Sequence, residues 1–99
     1  MSPAVTVDVQ RSEALRAANS VRIAGCQIRQ EVAAGRTTLA DALFDERAQS
    51  MPIGRLLEAR PRWGKVKAAR LMRTMEIYPG RHVRDLTDRQ KRLIAKATR

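Results

Sequence analysis

The first third of the chain has small and apolar residues at spacings of three and four. Within residues 9–34 these positions are Ala14, Ala18, Val21, Gly25, Ile28 and Val32. Residues at such spacings lie on one side of an α-helix, so the pattern predicts a single long helix. Gly35 follows it and is typical of a left-handed helix end. We therefore assign residues 9–35 to a long N-terminal helix and residues 1–8 to a flexible N-terminal tail.

Residues 36–99 carry shorter apolar patterns, separated by signals for helix starts and turns. Helix starts are indicated by Thr38, Pro52, Gly64 and Thr87, and turns by Pro61 and Pro79-Gly80. The side chains expected to face inward are Leu39, Ala42, Leu43, Phe44, Ile53, Leu56, Leu57, Ala68, Leu71, Met72, Met75, Leu86, Leu93, Ile94 and Ala97. Trp63 is expected to pack at a turn and Tyr78 at the edge of the core. Since no stretch alternates as a strand does, the predicted fold is all-α, a long N-terminal helix plus a compact cluster of short helices.

Positive charge is confined to the second half of the chain. Residues 1–50 contain six basic and six acidic side chains, whereas residues 51–99 contain fourteen basic and four acidic ones. The whole formal net charge of +10 lies in the second half. Solubility does not require such segregation, so the asymmetry favours a polyanionic partner, foremost a nucleic acid.

Residue types that build disulfides, metal sites and membrane spans are scarce. Cys26 is the only cysteine and His82 the only histidine, so neither an intrachain disulfide nor a cysteine–histidine zinc site is expected. One free thiol fits the reducing cytoplasm. No apolar run approaches the ~20 residues of a membrane span, and the N-terminus lacks a secretory signal pattern. We expect no metal, no cofactor and no membrane contact.

The candidate chemistry lies in residues 53–72. A short apolar helix is followed by the turn Pro61-Arg62-Trp63-Gly64 and then by a basic helix. The proline fixes its own φ and the glycine tolerates unusual backbone angles, which predicts a tight hairpin. The free amides and the dipole at the start of the second helix favour an anion there. Lys65 and Lys67 add positive charge for neighbouring phosphates.

This segment resembles the helix-hairpin-helix, a motif that binds the DNA backbone without sequence preference. The usual hairpin has two glycines flanking an apolar residue, whereas Arg62 takes the place of the first glycine here and Trp63 that of the apolar residue. Over residues 29–97, and most strongly over 53–93, the sequence is similar to the actinobacterial integration host factor family. The most specific matches are Gly64-Lys65-Val66-Lys67-Ala68 and Asp88-Arg89-Gln90-Lys91.

The resemblance implies a nucleoid-associated, non-enzymatic protein of the helix–two-turns–helix type. It implies binding of double-stranded DNA with little sequence preference, DNA bending or condensation, and assistance to site-specific phage integration with a phage integrase as partner. We expect a monomer in solution. By position, the hairpin residues Arg62, Gly64, Lys65 and Lys67 would meet one DNA strand, and Arg81, Arg84, Arg89 and Arg92 would lie beside it. Trp63 and Arg70 complete the predicted set because they lie on the hairpin and on the basic face.

Other functions and contacts remain open from the sequence. Related hairpins also occur in small-subunit ribosomal proteins, so RNA or ribosome binding is the alternative. A third hypothesis is a glycosylase or lyase, but such an enzyme needs a catalytic group facing a base pocket. The acidic residues of the basic half, Glu58, Glu76, Asp85 and Asp88, show no paired arrangement. Along the N-terminal helix, the row Arg11, Arg22, Arg29 and Arg36 is either a solvated edge or a secondary DNA contact.

Overall fold

The chain folds into five α-helices and two 3-10 turns, with no β-strand among the residues described. The computed structural model describes the backbone of residues 3–99 and the side chains of residues 10–99. The helices are α1 (Pro3–Ala33), α2 (Leu39–Phe44), α3 (Ile53–Ala59), α4 (Gly64–Thr74) and α5 (Asp88–Ala97). The 3-10 turns, Glu46–Ala48 and Val83–Asp85, precede α3 and α5. The predicted all-α class, one long helix followed by short ones, is confirmed.

Helix α1 is longer than the sequence pattern predicts. It begins at Pro3, so residues 3–8 are helical and their assignment to a flexible tail is wrong. Proline suits the first helical position, because the amide hydrogen that it lacks would have no partner there. Residues 1 and 2 of the predicted tail lie outside the described residues. The helix ends at Ala33, within two residues of the predicted end.

Only the last part of α1 packs against the other helices. Gly25, Ile28 and Val32 are buried, whereas Ala14 and Ala18 are exposed and Val21 is 51% exposed. The 31 residues of α1 extend about 46 Å, but the molecule measures only 28 × 23 Å in its two shorter dimensions. The outer half of the predicted stripe therefore has no packing partner among residues 10–99. No helix in the described part of the chain has the length and apolar character needed to span a membrane.

One hydrophobic core joins all five helices. Helix α3 packs along α4, α2 packs on α5, and α1 lies across α3 and the first 3-10 turn. The largest fully buried side chains are Ile28, Leu43, Ile53, Leu56, Leu57, Met72, Val83 and Ile94. Burying one side chain of this size stabilises a fold by roughly 1.5–3 kcal/mol. Since α3 contributes three of these eight side chains, it lies at the centre of the core and fixes the position of the turn that follows it.

Several helix ends form as their local signals predict. Gly35 adopts φ +75° after α1. Thr87 and Gln90 form the predicted capping box, with the Gln90 amide donating to Thr87 Oγ1 at 3.1 Å and the Thr87 amide donating to Gln90 Oε1 at 2.9 Å. Helix α4 ends at Thr74, two residues before Glu76, which takes a left-handed φ of +57°. A left-handed residue cannot continue a right-handed helix.

Two aromatic side chains lie further out than predicted. Phe44 is 52% exposed, because the inner face of the six-residue α2 is already filled by three aliphatic residues. Its ring lies 5.3 Å from Lys91 Nζ, a distance suited to cation–π attraction. Tyr78, expected at the edge of the core, is 76% exposed. On α5, Leu93 and Ala97 are exposed as well, since Lys91 and Ile94 form the buried side of that helix.

The first turn of α3 is closed by a distant part of the chain. The Ile53 amide donates to the Arg81 carbonyl at 2.8 Å, and the Gly54 amide donates to the Pro79 carbonyl at 2.9 Å. Gly54 permits this approach, because a Cβ there would lie 3.0 Å from Pro79 Cβ and 3.1 Å from the Pro79 oxygen. The turn at residues 78–81 thus sits on the start of α3, while the hairpin follows its end.

The charges of the N-terminal half include a compact network. The Arg47 guanidinium pairs with Glu31 on α1 and, at 3.0 Å, with Asp45. The hydrogen bond from the Arg47 side chain holds the pKa of Asp45 below its ordinary value. This network joins α1 to the first 3-10 turn, so these charges have a structural role.

Candidate nucleic-acid interface

The predicted hairpin forms between α3 and α4. Pro61, Arg62 and Trp63 make the turn, and the Trp63 amide donates to the Arg60 carbonyl at 3.1 Å. Arg62 and Gly64 both have left-handed backbone angles, with φ of +71° and +61°. Glycine adopts such angles without strain, whereas another residue loses roughly 1 kcal/mol or more. Arg62 therefore takes a conformation that suits the glycine of the usual hairpin. The backbone keeps the path of that hairpin although arginine replaces glycine.

The first turn of α4 is open. The amides of Gly64, Lys65 and Val66 have no hydrogen-bond acceptor among residues 10–99, and the half-buried Trp63 before them provides no side-chain cap. Lys65 and Lys67 are exposed in the same turn. Free amides and the positive end of the helix dipole attract an anion, and the lysines reinforce that attraction. Because the lysines oppose the dipole, a bound anion would also remove a local repulsion.

Most cations of the basic half are available to a ligand; Lys91 is the buried one in this group, and its ammonium donates to Gln49 Oε1 at 3.1 Å. No lysine or arginine among residues 51–99 forms an ion pair with a carboxylate in the described part of the chain. All eight charged members of the predicted set are exposed: Arg62, Lys65, Lys67, Arg70, Arg81, Arg84, Arg89 and Arg92. This contrasts with Arg47 in the first half, whose charge is balanced by two carboxylates.

The predicted residues lie on three parts of the fold. The hairpin and α4 carry Arg62, Lys65, Lys67 and Arg70, together with Trp63 and Gly64. Arg81 and Arg84 lie in and after the turn that closes the start of α3, so α3 separates them from the hairpin. Arg89 and Arg92 lie on the exposed side of α5. The α3–α4 pair thus places the hairpin and the turn at residues 78–81 at opposite ends of α3, whereas the last residues of α5 lie close to the hairpin.

Three further residues at the hairpin were missed by sequence reasoning. A groove of about 770 Å³ lies between the hairpin, the end of α1, the start of α2 and the end of α5. Arg60 and Arg62 line one side and Arg99 another, and no acidic residue lines it. Val66 is 72% exposed between the two lysines. A helical wheel could have found Val66, because it lies well away from the buried Ala68 and Met72; the position of Arg99 depends on tertiary packing.

The arginine row of α1 meets α3 across a second, smaller cleft. Arg22 and Arg29 line a cleft of about 250 Å³ together with Arg47 and Arg55. Arg29 Nη2 donates to Cys26 Sγ at 3.4 Å, and this thiol is free and exposed. Among the described residues, no three histidine, cysteine or acidic side chains are grouped so that they could hold a metal ion.

Comparisons with known proteins agree with this geometry. The family model of the S13-like H2TH domain matches residues 30–97. Two curated relatives, the proteins named integration host factor of Mycolicibacterium smegmatis and Mycobacterium tuberculosis, are each 40% identical over 91 residues, covering 88% of this chain and 87% of theirs.

A solved structure shares the fold. The structure of sIHF bound to an 8-base-pair palindromic DNA superposes with a TM-score of 0.76 at 22% identity, covering 85% of this chain and 99% of that one. The family match includes the hairpin, the turn at residues 78–81 and all of α5, and it leaves out most of α1. The resemblance predicted from the hairpin and α5 motifs is confirmed: the chain belongs to the integration host factor family of the mycobacterial relatives, which is built on an S13-like H2TH domain.

Proposed function

We propose that this protein binds duplex DNA through the phosphate backbone and bends or compacts it, with little sequence preference. The observation that carries the proposal is the open first turn of α4, where three unoccupied amides lie beside Lys65 and Lys67. The solved structure of similar fold is bound to DNA, and the curated relatives are named for a host role in integration. The DNA-bound structure and the names of the relatives both support DNA binding by this protein.

The binding mode follows from the kind of groups available. Amides, lysines and arginines that face solvent are ligands for phosphate oxygens, which carry no sequence information. Reading bases directly needs side chains placed in a groove. We propose Arg62, Gly64, Lys65 and Lys67 as the first phosphate site, extended by Arg70 along α4. Arg81, Arg84, Arg89 and Arg92 would contact phosphates further along the duplex or on a second segment.

The biological setting is proposed from the family. We infer a non-catalytic nucleoid protein that is a monomer in solution and assists a phage integrase. Its contribution would be architectural, because bending brings distant DNA segments together without any covalent step. RNA binding is the competing hypothesis, and competition between duplex DNA and RNA distinguishes the two.

Salt-dependent binding to a short duplex tests the proposal. If about six phosphates are neutralised, log K should fall with log salt at a slope of about −5. Replacing both Lys65 and Lys67 by alanine should weaken binding to every duplex and flatten the slope by about two units. Fluorescence anisotropy at several salt concentrations measures both quantities.

The control variant keeps the net charge of the double mutant. Arg16→Ala with Arg55→Ala removes two exposed cations that belong neither to the predicted DNA-binding set nor to the arginine row of α1, and it should change the slope by less than one unit. A competition with RNA of equal length should leave the protein on the DNA. Equal affinity of the hairpin variant and the unaltered protein would contradict the proposal, and so would a preference for RNA.

A further inference from the structure

The turn at residues 78–81, at the far end of α4, is rigid. The Arg81 amide donates to the Tyr78 carbonyl at 2.9 Å and closes a β-turn over Pro79 and Gly80. The carbonyls of Pro79 and Arg81 accept from the first amides of α3. Arg81 Nη2 also donates to the Asp85 carbonyl at 3.2 Å. Both the backbone of the turn and its cation are therefore held in place without a ligand.

Tyr78 presents its ring to solvent from this turn. At 76% exposed, it is the most exposed large hydrophobic side chain among residues 10–99. The ring lies across Gly80, because a Cβ at position 80 would be 2.5 Å from Tyr78 Cε1 and 2.8 Å from Cζ. Gly80 does not have a positive φ, so the ring uses the space above the glycine rather than an unusual backbone angle. One face of the ring rests on backbone and the other is free.

Exposed cations lead from the hairpin to this ring. Lys67, Arg70 and Thr74 follow one another at helical spacing along α4, and Arg81 lies within the turn. The 11 residues of α4 span about 16 Å, roughly half of one helical turn of DNA. A duplex whose phosphates lie on the hairpin can therefore reach the turn by following α4.

We propose that Tyr78 is a base-contacting residue, whose ring stacks on a base at a locally unstacked step while Arg81 holds the adjacent phosphate. This rests on the DNA binding proposed above and adds a property that phosphate contacts cannot supply, a preference for duplexes that are easily unstacked. Stacking an aromatic side chain on a base changes affinity by about tenfold. Unstacking requires least free energy where the bases are mismatched.

The presence of only one tyrosine in the chain permits a direct measurement. The full-length protein is labelled with fluorotyrosine and titrated with two short duplexes, one perfectly paired and one containing adjacent mismatches. We expect the single fluorine NMR resonance to shift with the same midpoint as the anisotropy signal. The unaltered protein should bind the mismatched duplex about tenfold more tightly than the paired one.

Four variants separate stacking from charge. Tyr78→Ala should remove the preference for mismatches without changing the salt slope, because it removes no cation. Tyr78→Phe should keep the preference, and Gly80→Ala should reduce it by displacing the ring. Ile23→Ala, which removes an exposed apolar side chain of α1, should have no effect.

The outcomes distinguish this inference from the proposed function. If Tyr78→Ala keeps the preference, or if the fluorine resonance does not move on binding, the stacking role is overturned while the hairpin variant can still lose affinity. If the unaltered protein fails to bind either duplex, both the stacking role and the proposed function are overturned.

Discussion

The two helices of the hairpin unit begin in opposite ways. The first amides of α3 are occupied, because Ile53 and Gly54 donate to carbonyls of the turn at residues 78–81. The first amides of α4 have no acceptor in the described part of the molecule, and two exposed lysines lie beside them. Both helix starts carry the positive end of a helix dipole. The difference therefore lies in what faces the amides, and it separates a structural helix start from a candidate phosphate site.

Helix α5 supports this interpretation. Its start is closed by the capping box of Thr87 and Gln90, and an aspartate occupies its first turn. This sequence thus provides partners for the starts of α2, α3 and α5, while the first turn of α4 contains no acidic residue. An uncapped start beside two lysines is locally destabilising, and a phosphate would supply both the missing acceptors and the missing negative charge.

The largest effect is expected from opening the closed start. Gly54→Val adds a branched side chain where even a Cβ would lie 3.0 Å from Pro79. We expect the free energy of unfolding to fall by about 2 kcal/mol, because the turn at residues 78–81 must move away from α3. Urea denaturation followed by circular dichroism measures this change.

A neighbouring position provides the control for this prediction. Arg55→Val places the same side chain at the next, exposed position of α3 and should change stability by less than ~0.5 kcal/mol. Equal losses in the two variants would show that contact with Pro79 is unimportant and that the start of α3 is not held by the turn.

The open start should respond to charge reversal in two opposite ways. Lys65→Glu places an acidic side chain in the first turn of α4, which should raise the free energy of unfolding by about 0.5 kcal/mol. The same change should reduce duplex affinity by about tenfold or more, because it repels the phosphate from the amides. Thermal melting and anisotropy on one protein preparation measure both effects.

Arg89→Glu is the matched control, since position 89 in α5 corresponds to position 65 in α4. It should reduce affinity less than Lys65→Glu does, because the capping box closes the start of α5. Identical losses of affinity would mean that charge alone, and not the open amides, makes the difference between the two helices.

Local signals account for the parts of the fold that the sequence predicted well. Gly35, the Thr87–Gln90 box and the hairpin proline act over a few residues, so each could be read from its neighbours. The extent of burial could not be predicted from neighbouring residues in this way. The stripe on α1 has helical spacing throughout, but among the described residues only the part opposite α2, the first 3-10 turn and α3 meets a partner.

The candidate site likewise has one part that local sequence predicts and another that depends on distant residues. Hairpin residues are adjacent in sequence, so the tight turn and its lysines could be predicted together. The closure of α3 by Pro79 and Arg81 joins residues about 25 positions apart, and nothing local indicates it. Tyr78 is predicted at the edge of the core because aromatic side chains are on average buried, and only the packed turn shows that its ring faces solvent.

The smallest effect tests the backbone of the open start itself. Arg62 holds φ at +71°, so Arg62→Gly should relieve strain that exceeds the conformational entropy added to the unfolded chain. We expect the free energy of unfolding to rise by about 0.5 kcal/mol, while loss of one cation flattens the salt slope by about one unit. Arg60→Gly is the control, because Arg60 has an ordinary φ of −66° in the same hairpin and should lose about 0.5–1 kcal/mol. Equal destabilisation by the two glycines would show that position 62 is not held in the left-handed conformation, and the aligned amides at the start of α4 would lose their structural basis.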